Sequence, residues 1–218
     1  MMLEPSVHAT AAERIRVLCV DDHRIVREGI ALIIDRQPDM HVVASAASGE
    51  EAVAMFRQHR PDVTLMDLQL GAMGGVEAIR EIRALDPAAR IVVLTMFRGD
   101  EDIHRALQAG AATYLLKDML SDDLIRVIRE VRKGESRIGP DVEASLAQRA
   151  AGPTLTRREI QVIELIAQGM RNKEIAASLG ISEETAQVHV KNILAKLKVK
   201  DRSAAITAAL RRGIIHIA

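Results

Sequence analysis

Asp67 closes the run Asp62-Val63-Thr64-Leu65-Met66, and the chain then turns through Leu68-Gln69-Leu70-Gly71. Apolar and β-branched residues running up to a carboxylate read as a strand of a buried parallel sheet. Asp67 would then stand at the strand's carboxyl end, where open α/β sheets place their ligands. A carboxylate there is a phosphate acceptor, a metal ligand or a turn-starting Asp. Other apolar runs end on polar groups in the same way: Asp21-Asp22 after Ile15 to Val20, Thr95 after Arg90 to Leu94, Lys117 after Ala112 to Leu116. Crowded carboxylates repel and resist joint ionisation without a cation, and a hard divalent ion such as Mg²⁺ suits oxygen ligands. A phosphoryl group on Asp67 would be stabilised by that metal and by the Lys117 ammonium, with the Thr95 hydroxyl donating to one of its oxygens. Singly, each residue has a plainer role, as a helix cap, a strand threonine or a solvated strand end. Five of them in order at consecutive strand ends favour the joint reading.

The intervening stretches must position these groups. Ile25, Val26, Ile30, Ile33 and Ile34 recur on one side of a helix that stops near Pro38, and His41 to Ala46 is a second strand. Ser48 to Glu51 has the form of a capping box, opening a helix that turns Ala52, Val53 and Phe56 inward. Val76, Ile79 and Ile82 mark the next helix, Glu101 to Gln108 another, and Ser121 caps a last one carrying Leu124, Ile125, Ile128 and Val131. Five strands alternating with five helices predict a doubly wound, five-stranded parallel sheet, because parallel neighbours require crossover connections.

The 218 residues allow one large domain or two small ones. Residues 153–218 hold eleven Lys/Arg against six Asp/Glu, which leaves 19 against 24 of the 30 of each for the rest. An acidic part joined to a basic part predicts two domains with different partners, the basic one a candidate for nucleic acid. Glycines and prolines without large apolar residues make 134–152 a linker, with 141–150 a short helix within it. The boundaries are thus 14–133, 134–152 and 153–218. Lone Cys19 sits in an apolar run and reads as a buried hydrophobe. The first fourteen residues lack a signal peptide's apolar core, no stretch is long enough to span a bilayer, and a cytoplasmic location is expected, with no membrane partner. The histidines at 8, 23, 41, 59, 104, 189 and 216 show no zinc spacing.

Asp21-Asp22, Asp67, Thr95 and Lys117, in this β/α order, resemble the receiver domain of bacterial two-component response regulators, over about residues 14 to 133. That resemblance implies the flavodoxin-like order of such domains. It implies that Asp67 accepts a phosphoryl group from the phosphohistidine of a sensor histidine kinase. Asp22, Asp67 and the Gln69 backbone carbonyl would ligate Mg²⁺ directly, with Asp21 acting through water. Thr95 and Tyr114 would be the switch pair and Lys117 the phosphate-contacting lysine. The family has Met-Pro three and four residues after the acceptor; here Leu70-Gly71 stands there.

From Leu155 the pattern is wholly helical. Thr156-Arg157-Arg158-Glu159 is a second capping box, Asn172 caps a short helix to Leu179, and Gly180-Ile181-Ser182 turns into a longer helix. On that helix Val190, Ile193, Leu194 and Leu197 form the inward stripe. Thr185, Gln187, Val188, Lys191 and Asn192 lie elsewhere, with Lys196, Lys198 and Lys200 beyond. Such a face can enter a major groove, early residues meeting base edges and lysines meeting phosphates. The region resembles the LuxR-type helix-turn-helix, on Leu155 to Glu159, Asn172-Lys173-Glu174-Ile175-Ala176 and Val188-His189-Val190. By that resemblance Gln187, Val188 and Lys191 face bases, Gln187 standing where many relatives carry lysine. The final helix, about Arg202 to Arg212, would be a dimerisation surface through Ala205 and Ala209.

Together the two parts resemble the NarL/FixJ response regulators. The expected function is a transcription regulator, not an enzyme, whose DNA binding is controlled by phosphorylation of Asp67. Double-stranded DNA with paired half-sites and a second copy of the chain are the expected partners, and RNA polymerase a further one. Two alternatives stand beside it: a DNA-binding regulator whose receiver only docks or dimerises, and an aspartyl-phosphate phosphatase. The latter needs a second acid two residues beyond the acceptor, and position 69 is Gln.

Overall fold

The computed structural model describes residues 14–96, 99–117, 121–135 and 154–215. The chain forms two compact units. Along residues 15–132, β1 (Ile15–Val20), α1 (Arg24–Asp35), β2 (Met40–Ala46), α2 (Gly49–His59), β3 (Val63–Met66), α3 (Gly75–Leu85), β4 (Ile91–Thr95), α4 (Asp100–Ala109), β5 (Thr113–Leu116) and α5 (Ser121–Arg132) alternate. The five strands pair parallel, as the alternation requires, and in the order β2-β1-β3-β4-β5 that the resemblance implies.

Strands this apolar need cover on both faces. Val17, Val63, Leu65, Val92, Leu94 and Leu115 look toward Ile34 of α1 and Leu124, Ile125, Ile128 and Val131 of α5 in one buried cluster. Their neighbours along the strands, Leu18, Met66, Ile91 and Val93, are also buried and point to the opposite layer. Phe56, Ile79 and Ile82 there are almost wholly buried, and α2 packs on α3.

The helices keep most of their expected faces, with exceptions. Ile25 is 84% exposed rather than inward: the buried stripe of α1 runs through Ile30, Ile33 and Ile34, and Ile25 falls outside its arc. Ser121 is the first residue of α5 rather than a cap before it. Ser48 does cap α2, accepting from the Glu51 amide at 3.2 Å, while Glu51 reaches back to the Ala47 amide at 2.8 Å.

The second unit holds α6 (Arg157–Ala167), α7 (Asn172–Leu179), α8 (Glu183–Leu197) and α9 (Arg202–Arg211). Its core is Val162, Ile163 and Ile166 of α6, Ile175 of α7, Ala186, Val190 and Ile193 of α8, and Ala205 and Ala209 of α9. Gly180, at φ +63°, takes the left-handed turn between α7 and α8 that a Cβ would strain. Ser182 then caps α8, accepting from the Thr185 amide at 3.2 Å, and Glu183 and Glu184 sit at its positive end. Asn172 lies inside α7, not before it; its Oδ1 accepts from Arg202, and Glu174 instead accepts from the amide of Arg171 at 2.7 Å. The helix expected at 141–150 falls outside the described residues.

Candidate functional site

Backbone pairing continues one residue past the strands and sets out the acidic pocket. The Asp21 amide donates to Ala46 O at 3.1 Å, the Asp67 amide to Val20 O at 3.0 Å, and the Lys117 amide to Thr95 O at 2.9 Å. Because Val20 lies against Met66 in the β1–β3 register, Asp21 and Asp67 emerge side by side. This is also where the strand order reverses, the position at which such sheets form their crevice.

All but one of the expected pocket side chains are buried. Asp21 is 1%, Asp67 3% and Thr95 1% exposed, while Asp22 is exposed. Lys117 joins the two buried carboxylates, its Nζ 2.6 Å from Asp21 Oδ2 and 2.6 Å from Asp67 Oδ2. Burial pushes the Asp67 carboxyl above the ordinary carboxylate value, against the Lys117 ammonium and the Gln69 amide, which donates to Asp67 Oδ1 at 3.3 Å. Burial works against the Lys117 ammonium, but its bonds to Asp21 and Asp67 outweigh it and raise its pKa. Tyr114, on β5 opposite Val93 of β4, is buried. Asp21 also accepts from the His23 amide at 2.9 Å, a local turn ahead of α1, whose N-cap is His23 and which has no side-chain cap bond.

Ligand atoms of Asp21, Asp22, His23 and Asp67 all lie within 4.8 Å of one another. Three carboxylates at a strand-end crevice give the oxygen donors that a hard divalent cation takes, so the residues fit Mg²⁺. His23 escaped the sequence reading, which sought zinc spacing; its Nδ1 is 2.6 Å from Asp22 Oδ1. Adjacency to Asp22 was the available signal.

Gly75 was missed as well. A Cβ at this position would lie 2.0 Å from the Asp67 carbonyl oxygen and 2.7 Å from Leu68 Cα, so glycine lets α3 start directly against the turn that follows Asp67. Gly75→Ala is therefore expected to destabilise the first unit by about 2 kcal/mol through overpacking. A urea midpoint unchanged from the parent chain would contradict this.

In the second unit Thr185, Gln187, Val188, Lys191 and Asn192 are all exposed on α8, with Val188 at 55%. An uncovered valine flanked by amides and a lysine matches apolar contact with a thymine methyl beside polar readout of base edges. Lys198 and Lys200 are exposed too. Lys196 is already paired: its Nζ is held 2.7 Å from Glu159 Oε2, and Glu159 is 3% exposed. The same Oε2 accepts from the Thr156 amide at 2.7 Å, so the capping box and the ion pair share one carboxylate. Ala205 and Ala209 are fully buried; their small size serves the packing of α9 on α6 and α8 and presents nothing to a second chain. Ser203, Thr207 and Arg211 are the exposed residues of α9.

Residues 17–129 match the response regulator receiver domain, and residues 153–209 match the bacterial regulatory proteins of the luxR family. The response regulator protein VraR of Staphylococcus aureus (strain NCTC 8325 / PS 47) is 39% identical over 207 residues, covering 93% of this chain and 99% of VraR. Among solved structures, the response regulator ChrA of a heme-sensing two-component system is 35% identical, with a TM-score of 0.57 over 93% of this chain and 100% of ChrA. The RcsB response regulator of Salmonella typhimurium, described for its conformational dynamism for DNA interaction, is 25% identical, with a TM-score of 0.65 over 89% and 98% of the two chains.

Proposed function

The chain belongs to the response regulators that join a receiver domain to a LuxR-type DNA-binding domain, and from that premise we propose that Asp67 is its phosphoacceptor and that phosphorylation there governs DNA binding by α8. The observation that carries this is the Lys117 ammonium 2.6 Å from both buried carboxylates. It supplies positive charge where a transferred phosphoryl group would bring three oxygens. We place the receiver at 14–133, a linker at 134–152 and the DNA-binding domain at 153–218.

Asp21, Asp22, Asp67 and the Gln69 carbonyl would hold Mg²⁺, which when bound neutralises charge on the phosphoryl oxygens. Asp67 provides the attacking carboxylate oxygen, and the phosphohistidine of a sensor kinase is the donor. Lys117 then exchanges one carboxylate partner for a phosphoryl oxygen, and the Thr95 hydroxyl donates to another. Drawing Thr95 toward Asp67 while Tyr114 repacks on the neighbouring strand biases the receiver between two arrangements. Gln187, Val188 and Lys191 would read bases, with Thr185 and Asn192 beside them and Lys198 and Lys200 on phosphates. Binding as a dimer on paired half-sites, contact with RNA polymerase and a cytoplasmic location complete the proposal. Among the described residues no helix is long and apolar enough to cross a membrane. Phosphatase chemistry finds no support, since Gln69 cannot protonate a leaving group.

The test is DNA affinity with and without an acyl phosphate plus Mg²⁺, on a site selected from random duplexes. Phosphorylation is expected to tighten binding at least tenfold, a coupling of about 1.4 kcal/mol. Equal affinities, with Asp67→Ala indistinguishable from the parent chain, would refute phosphorylation control.

A further inference from the structure

At the end of the sheet opposite the acidic pocket, the α3–β4 turn, the α4–β5 turn and the end of α5 line an open, solvent-facing cavity of about 340 Å³. That lies at the lower end of the range of ligand pockets, ~300–1,000 Å³. Its walls are alanines, glycines and Val131, and only two of its lining side chains are polar, Arg83 and Arg90. No carboxylate lines it. Of the nearby acids, Asp86 accepts from the Ala88 amide at 2.8 Å, Glu130 pairs with Arg126 at 3.1 Å, and Glu135 is exposed beside Gly134.

The backbone donors around the cavity are also spent. The amides of Ala89, Gly110, Ala111, Ala112 and Gly134 all bond to carbonyls within the unit. What remains is the guanidinium donors, five N–H groups on each arginine. Arg83 gives one of them, Nη1, to Ala89 O at 3.1 Å. Among the described residues the half-buried Arg90 side chain has neither a hydrogen bond nor an ion pair. Arg83 is held in place from below, because its side chain crosses Gly110 where a Cβ would meet Nε at 2.7 Å. A positively charged cup with small walls, a fixed guanidinium and a second one in reserve is preorganised for planar, forked recognition of oxyanions.

We propose that this cavity binds a small polyanion, a metabolite carrying phosphate or carboxylate groups, with Arg83 and Arg90 as its two anchors. The site is independent of the phosphorylation reading and lies on the other edge of the sheet. The full-length ¹⁵N-labelled chain is titrated with inorganic pyrophosphate, and in parallel with citrate. Ionic strength is held constant, and divalent cations are removed beforehand by passage over an immobilised chelating resin. Saturable shifts are expected at the amides of Gly110, Ala111, Ala112 and Gly134. Arg90→Gln should weaken that binding at least tenfold. Ala88→Glu, an exposed position whose new carboxylate would pair with the guanidiniums, should abolish it with an unchanged melting curve. If Arg90→Gln lowers the melting temperature, Ala88→Glu decides. Tighter binding of one anion assigns the class. Shifts absent from these amides with both anions, unaltered in the variants, or confined to α8 would overturn the proposal.

Discussion

Asp67→Asn is expected to take up no phosphoryl group and yet to melt at a higher temperature than the parent chain at pH 8. Loss of uptake follows because a carboxamide oxygen does not serve as the nucleophile that a carboxylate does. The gain in stability follows from where the carboxylate sits. Asp67 is 3% exposed, and burial raises its carboxyl above its ordinary value of 3.8 despite Lys117. A folded-state value raised above the unfolded one means that the native state holds the proton more tightly. The stability contributed by Asp67 is therefore full below the unfolded value and lost as pH rises through the folded one. At pH 8 the ionised group is a net cost, on the order of 1 kcal/mol for such a buried site. Asparagine keeps the volume and removes that charge, while Lys117 retains Asp21 at 2.6 Å. Intact-mass spectrometry after treatment with acyl phosphate and Mg²⁺ reads the first effect. Melting curves at pH 8 and pH 5 read the second, with the gap narrowing at the lower pH. A variant melting below the parent chain at pH 8 would mean that the second Lys117 contact outweighs desolvation. The reverse change, Lys117→Met, leaves two buried carboxylates without their cation and should cost about 3 kcal/mol.

The trade between stability and chemistry at Asp67 explains what was legible in the sequence. Asp21, Asp67, Thr95 and Lys117 could be placed because a parallel sheet puts all its carboxyl ends on one edge, so strand ends alone specify a shared location. The strand period and the crossover requirement likewise carried the parallel pairing, whereas the order of the strands came only with the resemblance to receiver domains. Gly75 was hidden because its constraint is a distance to a backbone oxygen, which no local pattern expresses. Ile25 was misjudged because an apolar residue at the start of a helix matches the periodic pattern about as well as its buried neighbours. The anion cup was invisible for a different reason. The Arg83–Arg90 pair, Gly110 and Gly134 are far apart in sequence, and only the fold brings the end of α3, the start of β4, the α4–β5 turn and the end of α5 together.

On α8 the period separated the core stripe from the exposed face correctly. It could not say which exposed-looking lysine was already paired. Lys196 stands thirty-seven residues from Glu159, and Ala205 and Ala209 turned out to be core because α9 lies against two helices at once. Periodicity assigns a side chain to an arc of its own helix. It does not identify the neighbour on that arc.

Glu159→Ala should accordingly be the most damaging single change in the helical unit, while Lys198→Ala should leave the fold untouched and weaken DNA binding. Glu159 is almost fully buried and its Oε2 accepts from both the Thr156 amide and Lys196 Nζ at 2.7 Å. Alanine removes a capping-box partner and strands a half-buried ammonium together, for about 3 kcal/mol. Against a total stability of ~3–9 kcal/mol for a unit of this size, that leaves a substantial fraction unfolded on warming. Burial raises the Glu159 carboxyl, but Lys196 and Thr156 outweigh it and hold it below its ordinary value of 4.5. A depressed folded value means that this stability is present above the unfolded value and lost as pH falls through the folded one. The parent chain should therefore lose helical-unit stability below about pH 4.5, and Glu159→Gln should show a flatter profile there. Lys196→Ala is expected to lower DNA affinity only in proportion to the unit's loss of stability. Lys198→Ala should instead weaken binding with an unchanged melting curve, and lower the salt dependence of binding by about one phosphate contact. Circular dichroism melts beside fluorescence anisotropy at several salt concentrations separate the two lysines. Identical salt slopes for both variants, with both melting like the parent chain, would return Lys196 to the DNA face and leave Glu159 as a cap alone.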